Sequence, residues 1–241
     1  MKNFDAYEYV GLIAPGAIVT IGIFLEFPAA RAELLSKDFS LGSLGIFLII
    51  SFAIGHLVAA IGNAIEGPVL KISGGLPSDK VRSENQTLIS SSQRLRLNEK
   101  ARNAQGDAFD LSTVSKGDWY AITREIYAEV AAAKTSSRVD SFNRQYGLLR
   151  GVGSAFSLLT IWFLVNLKAA PWSNWSGLIP AAFTAVACLL SFVRMTRFAN
   201  NYARELFVQY VRLPDRKDAP PDDAPATLDD ASQSKAGDDA G

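Results

Sequence analysis

Residues 41–65 read LGSLGIFLIISFAIGHLVAAIGNAI and hold no Asp, Glu, Lys or Arg. At roughly 1.5 Å of rise per helical residue, such a run reaches across a hydrocarbon core roughly 30 Å thick. It reads as a membrane-spanning helix. Further apolar runs lie at 10–27, 148–167 and 175–193. The chain is therefore expected to be an all-α integral membrane protein with four transmembrane helices arranged as two hairpins. The first hairpin is residues 1–66, with helices about 10–27 and 41–65, and the second is 148–213, with helices about 148–167 and 175–193. Between them lies a polar, mainly helical segment, 67–147. The averages of 49% hydrophobic and 20% charged residues would suit an ordinary globular domain and conceal this block structure.

The first run is read as a retained helix. A secretory signal begins with basic residues and has an apolar core of roughly 7 to 15 residues. Here Lys2 is opposed by Asp5 and Glu8, and the apolar run is longer, although Ala29, Ala30 and Ala32 supply small residues beyond it.

Loop charge sets the expected orientation, because Lys and Arg near helix ends stay on the cytoplasmic side. Residues 28–40 carry only Arg31 and Lys37, and 168–174 only Lys168, whereas 67–147 is rich in both, from Lys71 to Arg144. Arg194, Arg197, Arg204 and Arg212 follow the fourth run. Both termini and the middle segment are expected to be cytoplasmic, in a bacterial inner membrane. Trp172 and Trp175 on one side, and Tyr7, Tyr9, Tyr146, Phe198 and Tyr202 on the other, suit interfacial belts.

Within the middle segment, Gly67, Pro68, Gly74, Gly75 and Pro77 are expected to break the second helix and leave irregular chain to about residue 84. The stripe Leu88, Leu95, Leu97, interrupted by Ser90 to Ser92, predicts a short, poorly buried helix over 85–104. Asp118 is expected to cap a helix whose apolar face is Ala121, Ile122, Ile126, Tyr127, Val130 and Ala131. The third and fourth membrane helices are expected to extend into the cytoplasm through Val139, Phe142 and Tyr146 and through Phe198, Tyr202, Leu206 and Tyr210, building a small helical subdomain. Residues 214–241, rich in Pro, Ala and Asp, carry too little apolar surface to order and are expected to form a disordered acidic tail.

The second membrane helix carries the strongest candidate site. Ser51, Gly55, Ala59, Gly62 and Glu66 recur every three or four residues, forming a face that allows close helix approach. His56 and Asn63, seven apart, share another side. An ionisable residue at bilayer depth is a candidate for a proton or ligand path, while interhelical hydrogen bonding is the structural alternative. Glu8 and Glu66 are expected near the cytoplasmic boundary with Arg150 and Arg194, where interfacial ion pairs can form or each group can reach a lipid headgroup. Pro15 and Gly16 predict a kink in the first helix.

Several chemistries find no support. The lone Cys188 and lone His56 make neither a metal cluster nor a Cys/His dyad, and Gly151, Val152, Gly153 lacks the rest of a phosphate loop. Asp107, Asp110, Asp118, Glu125 and Glu129 read as loop, cap and solvated positions. With 24 Lys+Arg against 24 Asp+Glu, nothing points to nucleic acid. No cofactor is expected. The leading expectation is a non-enzymatic, self-associating membrane anchor, scaffold or effector, a homo-oligomer in the lipid bilayer whose cytoplasmic helices bind a protein or small ligand. A small channel or transporter using His56, Asn63, Thr20, Ser157 and Thr160 is the first alternative, and a membrane-embedded enzyme the second.

Overall fold

The computed structural model describes residues 6–34, 40–83, 87–168 and 175–214, with side chains over 9–32, 40–83, 87–167 and 178–214. The expected tail thus lies outside the described residues except for Pro214. Among the described residues the protein is all-helical: α1 Ala6–Glu26, α2 Pro28–Leu34, α3 Leu41–Ile72, α4 Pro77–Lys80, α5 Ser91–Gln105, α6 Lys116–Ala132, α7 Ser137–Lys168 and α8 Trp175–Arg212. Four helices, α1, α3, α7 and α8, are long and apolar enough to cross a membrane, which makes this an integral membrane protein by length and composition. Their outward faces suit that solvent: Ile49, Leu57, Phe183 and Leu189 are each more than 60% exposed.

The four pack as one bundle. Pairs of residues fix the directions: Thr160 opposite Thr184, Ser157 opposite Cys188 and Gly153 against Phe192 set α7 antiparallel to α8. Pro15 against Gly151 and Gly22 against Leu159 set α1 parallel to α7. The interior is thin, with Val19, Val58 and Ala155 at its centre.

A second, larger core gathers α5, α6, the loops around them, Val139 at the start of α7 and the last turns of α8. Trp119, Leu97, Leu111, Ile126, Leu206 and Phe207 are fully buried there, and the Trp119 ring stacks on Phe207 at 5.5 Å. The indole N–H donates to the Ser78 carbonyl at 2.9 Å, tying α6 to the one-turn α4. Lys100 extends its ammonium over the Tyr210 ring, 4.9 Å from the centroid.

Local expectations need correcting at four places. The helix from Leu41 does not stop at Gly67 and Pro68 but runs to Ile72 with Pro68 inside it. Proline removes one backbone donor, yet Ser73 and Gly75 beyond it donate to Val69 and Leu70, and buried Leu70 holds the extra turn in place. The actual stop is Gly74 and Gly75, with φ of +91° and +93°, conformations that favour glycine. The first connection also contains a short helix, α2. Ser115, not Asp118, caps α6: its hydroxyl accepts from the Asp118 N–H at 3.1 Å and donates to the Asp118 carboxylate at 2.7 Å. Finally, α5 starts with a capping box, Ser90 paired with Gln93, and buries Leu97 and Ala101 while Leu95 points outward. Serines that looked disruptive are the helix's start signal.

Candidate functional site

Two faces of α3 and the space below its last turns hold most of the residues singled out above. The small-residue face is consumed inside the chain. A Cβ on Gly55 would collide with the Leu12 carbonyl, and one on Gly16 with the Ser51 carbonyl, so α1 and α3 touch backbone to backbone at this crossing. Ser51 is buried there. Two turns further along, Gly62 faces α7, where an added Cβ would sit 3.1 Å from the Ser154 hydroxyl oxygen. Ala59, half-buried, lies between these two contacts.

At the end of that face Glu66 meets α7. Its carboxylate accepts hydrogen bonds from the Tyr146 hydroxyl and the Arg150 guanidinium, and the two charged side chains are only 25% and 24% exposed. Charge-assisted bonds in such partial burial are stronger than their surface counterparts. Of the four candidate interfacial charges, the structure brings together Glu66 and Arg150. Arg194 is exposed, its guanidinium 5.8 Å from the Phe198 ring centroid, and the Glu8 side chain lies outside the described residues.

His56 and Asn63 are placed on the opposite, outward face of α3, both exposed. His56 makes an edge contact with Phe52 at 4.7 Å and no hydrogen bond, and Asn63 has no polar partner among the described residues. Ala53, Ala60 and Gly67 share the exposed stripe. Thr20, Ser157 and Thr160, the hydroxyls considered for a pore, are differently placed. Thr20 donates to the Gly16 carbonyl, Ser157 to Gly153, and Thr160 to Phe156, so each is satisfied within its own helix and none needs water.

Where the bundle meets the second core there is a cavity of about 570 Å³. Glu66 and Leu70 of α3, Tyr120 and Tyr127 of α6, Tyr146 of α7 and Tyr202 of α8 contribute to its wall. Its chemistry is aromatic with hydrogen-bonding edges, the pattern of a site for an amphipathic ligand or side chain. The Tyr127 hydroxyl donates to Asp140 at 2.7 Å, which with burial and the negative charge holds its pKa up at about 12. Sequence reading placed Tyr146 in an aromatic belt and Tyr127 on an apolar stripe. Their polar roles depend on Glu66 and Asp140 arriving from elsewhere in the fold, and only the spacing of Tyr146 and Arg150, one turn apart, hinted at a shared partner.

Among the described residues no three His, Cys, Asp or Glu side chains are grouped to hold a metal ion. No family model, curated protein or solved structure matches this chain. Its function must be argued from the geometry.

Proposed function

We propose that this is a non-enzymatic, self-associating anchor or effector of a bacterial inner membrane, two transmembrane hairpins carrying a helical cytoplasmic subdomain that receives a protein or small ligand. The observation that carries it is the outward placement of His56 and Asn63. Within a bilayer both would face acyl chains, where an unmet polar group is costly and an interhelical hydrogen bond contributes roughly 0.6–2 kcal/mol. A second copy, turning the same stripe inward, supplies donors, acceptors and the small neighbours Ala53, Ala60 and Gly67 at once. The contact surface is thus moved from the Gly55 and Gly62 face, already occupied by α1 and α7, to the opposite side of α3.

Loop charge supports an arrangement with both termini and the second core in the cytoplasm. The unbroken run of α7 and α8 through both cores supports communication between the bilayer and the cavity beneath Glu66. The test is disulfide crosslinking in native membranes with Ala60→Cys in a Cys188→Ser background. A dimer band that Ala53→Leu or His56→Leu with Asn63→Leu removes is expected; monomer alone would end the proposal. A pore between copies is a second reading, favoured because the same two polar residues would line it. Proton or ion flux in liposomes that disappears with His56→Ala would select it.

A further inference from the structure

The uncharged run of α8 ends at Val193, and exposed Arg194, Arg197 and Arg204 follow on one side of the helix. With Phe198, Asn200 and Asn201 they line a concavity of about 410 Å³. Among the described residues no carboxylate lines it, and neither Arg194 nor Arg197 has an acidic partner. All of these lining residues belong to α8, and two of them are tied to other elements. Lys80 reaches Asn200 at 3.4 Å, and the Arg204 Nε donates to the Leu88 carbonyl at 2.8 Å. Lys80 also borders a neighbouring concavity with Arg82, Lys116 and Asp79, whose lining is net positive.

Depth adds to charge. At about 1.5 Å per residue, Arg194 and Arg197 stand roughly 1.5 and 6 Å past Val193, within a headgroup layer some 5–7 Å thick on each side of the hydrocarbon. Asn201 and Arg204 stand roughly 12 and 16 Å past it. Phe198, half-buried between the arginines, sits at the depth where aromatic rings prefer to lie. Arginine's planar donor fork matches phosphate oxygens in pairs, and basic concavities beside membrane helices select anionic headgroups.

We propose that this concavity holds the headgroup of an acidic phospholipid from the leaflet that α8 leaves, with the phosphate between Arg194 and Arg197 and the rest of the headgroup directed away from the bilayer, towards Asn201. It is independent of self-association through α3. Arginines that merely reach separate headgroups would show no lipid preference, whereas two arginines sharing one concavity do.

Native mass spectrometry of the full chain from nanodiscs of phosphatidylcholine and phosphatidylglycerol tests this. Phosphatidylglycerol should be retained preferentially, and neutralising Arg194→Gln and Arg197→Gln should lower its retention roughly fivefold for each arginine. Arg194→Lys with Arg197→Lys should keep most of it, and Arg96→Gln, on α5, should change nothing. In the unaltered chain a photoactivatable phosphatidylglycerol should label residues 194–204, which keeps the test valid if the double variant does not fold. Equal retention in the glutamine variant, or labelling elsewhere, overturns the proposal. Competition by inorganic pyrophosphate alone would assign the concavity to a soluble anion. Enrichment that appears only after removal of residues 215–241 would assign it to the chain's own acidic segment.

Discussion

Glu66 gathers two donors from α7, and its neighbourhood shows what a single carboxylate does at this boundary. Replacing it with Ala would leave the Arg150 guanidinium largely buried without a counter-charge and Tyr146 without its acceptor. Breaking a fully buried pair costs about 3–5 kcal/mol, and with a quarter of each side chain exposed roughly 2–3 kcal/mol is expected. Glu66→Gln should lose less, since the amide oxygen still accepts from Tyr146. Detergent unfolding of the three proteins checks the ranking. Tyr127 gives a pH prediction. Its pKa of about 12 lies above the ordinary value of 10.0, so the protonated phenol is favoured in the folded state. Its contribution is complete below about pH 10 and is lost as pH rises towards 12, because the unfolded chain then releases its proton first. In an absorbance titration of phenolate, Asp140→Asn should move one tyrosine from the late-titrating group back towards 10. Glu66, Arg150 and Tyr127 were each visible in the sequence as residues of the right kind. Arg150 was one of two arginines readable as partners for Glu66; that it and not Arg194 pairs, and that Tyr146 joins it, was not, because the donors to Glu66 stand 80 and 84 positions away.

At the level of single helices, α3 has a buried face packed on α1 and α7 and an exposed stripe, and each carries its own prediction. Gly55→Leu would drive a side chain into the α1 backbone, overpacking that costs about 1–3 kcal/mol or more, and should destabilise the monomer itself. Ala53→Leu, on the exposed stripe, should leave monomer unfolding unchanged and act only on the dimer crosslinked through Ala60→Cys. Measuring both properties in both variants separates intrachain packing from association, and a Gly55→Leu protein with normal stability would contradict the α1 crossing. The small-residue period was legible, since spacing alone marks a face built for close approach. Whether that face meets a helix of the same chain or of another is a tertiary fact that periodicity does not carry. Pro68 makes the complementary point: a residue that ends most helices is tolerated when buried Leu70 and the bonds from Ser73 and Gly75 hold the turn beyond it.

Across the whole molecule, α7 and α8 belong to both cores, so damage in one should be felt in the other. Trp119→Ala removes the largest fully buried side chain of the second core and should cost about 3–5 kcal/mol there. If the cores are coupled, protease sensitivity around α5 and α6 should rise together with loss of the Glu66 contact to α7. In the proposed orientation, cysteines introduced at residues 36 and 136 should react with membrane-impermeant reagent from opposite sides, and labelling of 136 from outside would reverse the topology. The four spans were readable because a bilayer imposes length and apolarity on any helix that crosses it. The second core was only partly readable: the stripes of α6 and α8 were visible, but Leu97 on α5 and Val81, Ile89 and Leu111 in the loops are buried without a periodic signal. The Glu66 contact also orders events in time. The first two spans leave the ribosome with Glu66 at the membrane rim, and its partners on α7 are still 80 and 84 residues from synthesis. At roughly 5–20 residues per second the nascent chain waits about 4–17 s in that state. Throughout that interval α1 and α3 can already cross at Gly16 and Gly55, while the carboxylate stays solvated at the surface until Tyr146 and Arg150 arrive to capture it.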